Sequence, residues 1–301
     1  MPHDERSGVL IALAGFALLA IGDGVIKSMA GQWSPIAVAA LRFTIGAIAL
    51  SALLARSEGR KGFIPASPLI QFGRGFCLAM ATICFFTGVF LMPLAEATAL
   101  IFVSPIFTAL LSGPVLKEKV RPATFVASLL AFAGVLVVLR PNLAEVGWVA
   151  ILPICSALFF SFIVMGNRAV AGQGSALSMQ AFMALGAAPV LIVAMFVGRA
   201  SGAEILQFGW PDWGVVARCA LVALTASTAH WMVYLGTTRA GAATIAPMTY
   251  IQLLVAVVLG WWWFGDAPDL VSLGGAAIII TAGLYLWRES ARRAETSQAA
   301  N

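Results

Sequence analysis

Asp23, Lys27 and Arg42 are ionisable residues set inside long apolar runs. A charge in hydrocarbon costs about 3 kcal/mol, so such residues mark function or a compensating partner. Asp23 stands between Gly22 and Gly24, and Lys27 follows four residues on, on the same helical face. Arg42 falls in the next apolar run at a similar depth. Two chemistries fit the trio: a self-neutralising ion-pair cluster, or a gate that also meets a substrate carboxylate. The flanking glycines predict a loosened helix at Asp23, a device of discontinuous membrane helices.

A second set is polar but uncharged. Thr249, Tyr250 and Gln252 sit at the centre of one apolar run, and Thr98, Ser104 and Thr108 lie in another. Pro105 removes a backbone donor in the latter and frees a carbonyl. These groups suit either hydrogen bonding to a solute or hydrogen bonds between helices, the latter worth only about 1 kcal/mol each. Asn167 and Gln180 are further polar candidates. His230, followed by Trp231, is a proton site, a solute contact or a neutral imidazole bonded to a hydroxyl or backbone group. The other histidine is His3, so no multi-histidine metal site is expected. Phe85, Phe86, Phe102, Trp231, Tyr234 and Tyr250 provide rings for a cavity wall, or for packing and lipid contact. Trp261, Trp262 and Trp263 read as an interfacial belt.

These residues must be held by membrane-length elements. The chain has 301 residues, of which 61% are hydrophobic and 10% charged; soluble domains carry about 25% charged residues. Apolar segments cover 8–27, 36–55, 72–91, 94–116, 122–139, 146–166, 177–198, 214–235, 240–264 and 269–287. Their lengths suit a hydrocarbon core, and they leave little for a soluble catalytic domain. Cys77, Cys84, Cys155 and Cys219 form no CxxC pair and read as packing residues. Arg6 resembles a signal-peptide flank, but no A-x-A-like site follows, so the first helix is expected to be retained.

Charge supplies orientation. With loops assigned alternately to the two sides, thirteen Lys and Arg fall with the N-terminus and four on the opposite side, Arg42 lying within a span. The positive-inside rule then places both termini in the cytoplasm, as an even number of spans requires. The net charge of +5 is thus a topology signal and not a nucleic-acid footprint.

The second five spans repeat the first five. Ala30-Gly31-Gln32 and Ser34 match Ala171-Gly172-Gln173 and Ser175; Arg74 matches Arg218; Phe102-Val103-Ser104 matches Tyr250-Ile251-Gln252; Lys117-Glu118-Lys119 matches Gly265-Asp266-Ala267; Ala133-Gly134-Val135 matches Ala282-Gly283-Leu284. Five is odd, so the copies insert with opposite orientation. Such inverted repeats build secondary transporters with a central site at the repeat interface. Repeat-related Ser104 and Gln252 are expected to face each other there. Glu118 and Asp266 close the turns after spans four and nine as caps or loop acceptors. Ala127, Ala131 and Gly134 permit close helix packing within the chain or in a dimer; a monomer is preferred.

The whole chain resembles the EamA-type branch of the drug/metabolite transporter superfamily. The resemblance is carried by Ala-Leu-Arg-Phe at 40–43, by Pro93-Leu94-Ala95-Glu96-Ala97 leading into Phe102-Val103-Ser104-Pro105-Ile106-Phe107, and by Pro247-Met248-Thr249-Tyr250-Ile251-Gln252. Where that family often has Gly-Glu turns and a Glu-Pro pair in span nine, this chain has Lys117-Glu118, Gly265-Asp266 and Gln252-Leu253. The resemblance implies ten helices in two inverted bundles. Spans one, three, four, six, eight and nine would line a cavity, with five and ten peripheral. It also implies ATP-independent transport of small metabolites, commonly amino acids.

The expectation is an all-α integral membrane protein of ten transmembrane helices in two inverted five-helix repeats. The first repeat is 1–141 and the second 142–288, with a cytoplasmic tail at 289–301. It is a multi-pass protein of the cell inner membrane that moves an amino acid or related metabolite, with export expected, by alternating access. Import of a vitamin-like aromatic such as riboflavin is the alternative. The binding residues are expected to be Ser104, Thr249, Tyr250, Gln252, Trp231, Phe86 and His230, with Asp23, Lys27 and Arg42 as gate or ion-pair cluster. The expected partners are a small solute, the lipid bilayer and, as a candidate coupling ion, the proton; no cofactor, metal or nucleic acid is expected. An intramembrane enzyme is disfavoured. The chain lacks H-E-x-x-H, a second well-embedded aspartate, a G-x-S-G site, and the G-x-x-x-x-G-K-[ST] loop of an ATPase. A channel is disfavoured because the repeat points to alternating access.

Overall fold

In hydrocarbon no water is available to satisfy a backbone N–H or C=O, so a single segment crosses by bonding to itself as a helix. The computed structural model of the chain is helical accordingly. It describes residues 3–104, 106–108, 110–111, 126, 129–130, 133–134, 137, 147–170, 172–240 and 246–299, and among these there is no strand. The helices are α1 (His3–Lys27), α2 (Pro35–Ser57), α3 (Pro68–Leu91), α4 (Leu94–Ile101), α5 (Ile151–Ala169), α6 (Ala176–Ala200), α7 (Trp213–Ala240), α8 (Ile251–Phe264) and α9 (Leu270–Ala299).

Six helical stretches are long and apolar enough to cross a membrane: Ser7–Lys27, Pro35–Ser57, Pro68–Leu91, Gly147–Asn167, Ala176–Ala200 and Trp213–Gly236. Shorter apolar helical stretches run over Leu94–Thr108, Met248–Phe264 and Leu273–Ala282. They match nine of the ten expected segments within a few residues at most ends. The expected span at 122–139 lies almost wholly outside the described residues, as do Pro105, Lys117, Glu118, Lys119, Ala127 and Ala131.

Local chemistry sets several ends. Pro35 opens α2 with its fixed φ, where a missing N–H costs nothing. The Ser175 hydroxyl accepts from the Ser178 N–H at 3.0 Å and caps α6. Gly265, at φ 73°, ends α8 in the left-handed conformation that glycine adopts freely. Two ends and one helix interior differ from the sequence reading. α7 continues to Ala240, because Thr237 to Ala240 include no breaker before Gly241. α9 continues to Ala299, through the segment expected to be a tail, because Arg, Ala and Glu are good helix formers. α1 runs unbroken through Gly22-Asp23-Gly24, so the two glycines do not open the helix there.

The chain forms two compact units, and each draws on both halves of the sequence. One comprises Gly22–Leu91 and Ile151–Ser227. Within it α2 packs on α6, and α3 packs on α5, α6 and α2. Its core includes Met29, Val38, Phe43, Ala79, Phe86, Leu191, Val215 and Cys219. Small residues allow a close crossing: a Cβ added to Gly75 on α3 would stand 2.7 Å from the Gly186 Cα on α6. The other unit comprises Met1–Ile21, Met92–Ala150 and Thr228–Asn301. There α4 packs on α8, and Ala12 and Phe16 of α1 meet Val233, Met248 and Ile251. A Cβ on Gly134 would stand 2.7 Å from the Ile279 side chain of α9.

Candidate functional site

Backbone that departs from α-geometry lies beside the uncharged polar set. α4 stops at Ile101, and Phe102 and Val103 form a turn before helix resumes at Ser104. The Phe102 N–H bonds back to the Ala99 carbonyl at 3.2 Å and the Val103 N–H to that of Leu100 at 3.3 Å, the tighter i−3 pattern. A residue preceding proline is disfavoured in helical geometry, and the distortion falls just before Ser104-Pro105. In the second half the first of the matching residues, Tyr250, also lies outside α-geometry. Ala246–Tyr250 is a 3-10 turn, and the α-helix begins only at Ile251.

These two turns meet. The Phe102 and Tyr250 rings lie 5.2 Å apart at 51°, a favourable tilted pair. Ser104 and Phe102 are buried, while Thr249, Tyr250 and Gln252 are half-buried. The Thr98 hydroxyl, one turn before Phe102, is buried and finds no hydrogen-bond partner among the described residues. The Thr108 hydroxyl donates to the Ser104 carbonyl at 2.9 Å. The cluster therefore combines one ring pair, local backbone departures from α-geometry and the Thr98 hydroxyl, which has no partner among the described residues.

The other expected site residues are distributed differently. His230 and Trp231 are in the same unit as Tyr250, on α7, and both are exposed, Trp231 at 58%. Phe86 is not part of the Ser104–Tyr250 cluster. It is buried in the other unit on α3, where the Arg42 guanidinium lies 5.8 Å from its ring centre and 4.4 Å from that of Phe43. Such contacts are worth about 0.5–2 kcal/mol, more where water is excluded. Asp23 and Arg42 interact electrostatically. The structure thus brings Asp23, Arg42 and Phe86 together, with Lys27 one turn along α1 from Asp23. Trp261, Trp262 and Trp263 are all exposed at the end of α8, as an interfacial belt requires. Among the described residues there is no cluster of His, Cys, Asp or Glu suited to a metal.

Sequence reasoning missed one network. Arg74, matched to Arg218 by the repeat and read only as a topology charge, is buried against Gln71, Asn167, Met179 and Met183. The available signal was the position of Arg74 inside, and not before, the apolar segment 72–91. Arg218 occupies the corresponding place in the second half. It donates to the Ser28 carbonyl and hydroxyl at 3.0 and 3.3 Å, to the Gly214 carbonyl at 3.0 Å, and to the Gln32 amide oxygen.

Known proteins align with the chain along most of its length. A riboflavin transporter of Rhizobium johnstonii is 30% identical over 68% of this chain and 66% of its own. An S-adenosylmethionine uptake transporter of Rickettsia prowazekii is 24% identical over 93% of this chain and 92% of its own. A pseudopaline exporter of Pseudomonas aeruginosa is 24% identical over 94% and 96%. A solved crystal structure shares the fold at a TM-score of 0.64 and 23% identity, covering 96% of this chain and 99% of the other. The EamA-like transporter family matches residues 6–140. With relatives that are drug/metabolite transporters and a body of apolar helices, the chain is a multi-pass membrane protein that belongs to the EamA-like transporter family.

Proposed function

We propose that the protein is a secondary transporter that carries a small metabolite across the inner membrane by alternating access. The observation that carries this reading is the pair of turns at matching places in the two halves. The repeat aligns Phe102-Val103-Ser104 with Tyr250-Ile251-Gln252, Phe102-Val103 and Tyr250 depart from α-geometry, and Phe102 touches its own counterpart Tyr250. A residue touches its repeat-mate only near a pseudo-two-fold axis. Discontinuous helices at corresponding positions of two halves are where transporters bind solutes. Ten spans in inverted repeats, 1–141 and 142–288, account for this arrangement, and both termini then face the cytoplasm.

The substrate pocket is built around Ser104, Thr249, Tyr250 and Gln252, with His230 and Trp231 further along the same unit. Asp23, Lys27, Arg42 and Phe86 form the separate charged and aromatic cluster of the outer gate. An amino acid or related metabolite fits a few polar atoms beside a ring pair, with export as the direction and the proton as the candidate coupling ion. Riboflavin import is the second reading. It is favoured by the 30% identity to a riboflavin transporter and by the Phe102–Tyr250 rings, which suit a flat aromatic solute.

Counterflow in proteoliposomes separates the two readings. Vesicles preloaded with amino acids, riboflavin or S-adenosylmethionine are assayed with and without a pH gradient. Accelerated exchange of one class names it, and Gln252→Leu is expected to abolish that exchange while membrane insertion stays normal. Full activity of Gln252→Leu would remove this pocket from the transport path.

A further inference from the structure

Arg74 holds a charge that the transport reading leaves unused. It lies in the second turn of α3 and is 5% exposed. Its stem crosses Gly166 of α5, where an added Cβ would stand 2.7 Å from the Arg74 Cγ. Glycine at 166 is therefore what lets the side chain reach inward. At its head, Nε donates to the Asn167 Oδ1 at 2.8 Å, and Nη1 donates to the Gln71 Oε1. The remaining acceptors are sulfurs: Met183 Sδ at 2.9 Å from Nη2, and Met179 Sδ at 3.6 Å from Nη1. The Gln71 amide also donates to the Met179 Sδ, at 3.0 Å.

No carboxylate stands among these partners. Thioethers are weak acceptors, whereas a guanidinium binds carboxylate or phosphate oxygens most strongly, two at a time in one plane. Arg218 is an internal control. At the matching position its donors all go to oxygens, so it serves as a satisfied cross-link between α7 and the end of α1. Arg74 instead meets a displaceable sulfur at each terminal nitrogen, with an oxygen, that of Gln71, at Nη1 alone. Asn167, which bonds its Nε, is exposed, so one side chain separates the guanidinium from the surface.

We propose that the Arg74 pocket, walled by Gln71, Asn167, Met179 and Met183, is a binding site for an anionic oxygen group, a carboxylate or a phosphate. The anion displaces the two thioethers and takes Nη1 and Nη2 together. The site does not depend on the Ser104–Tyr250 pocket or on transport. A small soluble anion and the phosphate of an anionic lipid present the same oxygens to it.

The test uses full-length protein in neutral detergent with carbon-13-labelled methionine methyl groups, the Met179 and Met183 signals being assigned from Met179→Leu and Met183→Leu. Sodium acetate and sodium phosphate are titrated in separate arms against sodium chloride at constant ionic strength; a third arm adds phosphatidylglycerol. The expected result is a saturable shift of both methyl signals. It is lost in Arg74→Gln and kept in Arg218→Gln. Arg74→Lys weakens it at least about tenfold, because an ammonium cannot hold two oxygens in a plane. Met183→Leu removes a competing acceptor, so it binds as tightly or more tightly, and its Met179 signal keeps the test alive if Arg74→Gln fails to fold. A response to acetate or phosphate assigns the site to a soluble anion; a response to phosphatidylglycerol alone assigns the same chemistry to a lipid headgroup. No saturable shift in any arm, a shift that survives in folded Arg74→Gln, or tenfold weaker binding by Met183→Leu would overturn the proposal.

Discussion

Thr98 illustrates what a single atom can report. Its hydroxyl is buried without a hydrogen-bond partner among the described residues. An unmet hydroxyl costs stability, so replacing it with a methyl of the same shape is neutral or favourable. Thr98→Val is expected to hold or raise the thermal midpoint in detergent. If the hydroxyl serves the solute, transport falls by about fivefold, the worth of one hydrogen bond. Unchanged flux would take Thr98 out of the site. At this scale the sequence was informative about residue type and uninformative about company. It singled out Phe86 as a pocket wall, yet Phe86 packs beside Arg42. Which ring faces which charge depends on helix rotation, and a nearly uniform apolar helix carries little periodic signal of that rotation.

Among the helices, the α3–α6 crossing gives the sharpest expectation. Gly75 meets the backbone of Gly186, which cannot yield as a flexible side chain would. Gly75→Ala is expected to destabilise by about 1–3 kcal/mol, the usual cost of overpacking. Gly73, on the same helix, has nothing within 4 Å of an added Cβ. Gly73→Ala is expected to be neutral or to stabilise by up to about 1 kcal/mol through helix propensity. Thermal unfolding of the two variants side by side measures the difference; equal midpoints would contradict the crossing. Helix positions were legible because apolar runs of membrane length have few alternatives. Helix ends were less so. α7 overran its expected end at 235 because length, not a breaker, had set that boundary, and α9 continued as helix through polar residues that hydropathy assigns to a tail.

The contacts between loops bear on the topology of the whole chain. The Trp33 indole N–H donates to the Gly209 carbonyl at 3.0 Å, and the Ser175 hydroxyl bonds Glu58. The charge count independently puts 33 and 209 on one side, and 58 and 175 on the other. Both pairings agree with the alternate assignment of loops to two sides, and the charge count is what makes the side of the termini the proposed cytoplasmic one. With the native cysteines replaced, Gly209→Cys is expected to react with a membrane-impermeant maleimide on intact cells, and Arg60→Cys only after the membrane is opened. The reverse pattern would invert the topology.

The apolar runs, the charge asymmetry and the matched motifs were enough to predict a helical membrane protein and its family, because crossing hydrocarbon constrains length, backbone bonding and flanking charge within each segment. Contacts between distant segments required the tertiary structure. It alone set Phe102 against Tyr250, sorted Phe86 to Arg42, and buried Arg74 between sulfurs while bonding its repeat-mate Arg218 to oxygens. The sequence alignment of the two halves pairs those two arginines along the chain. Their neighbours, brought in from other helices, make them chemically different.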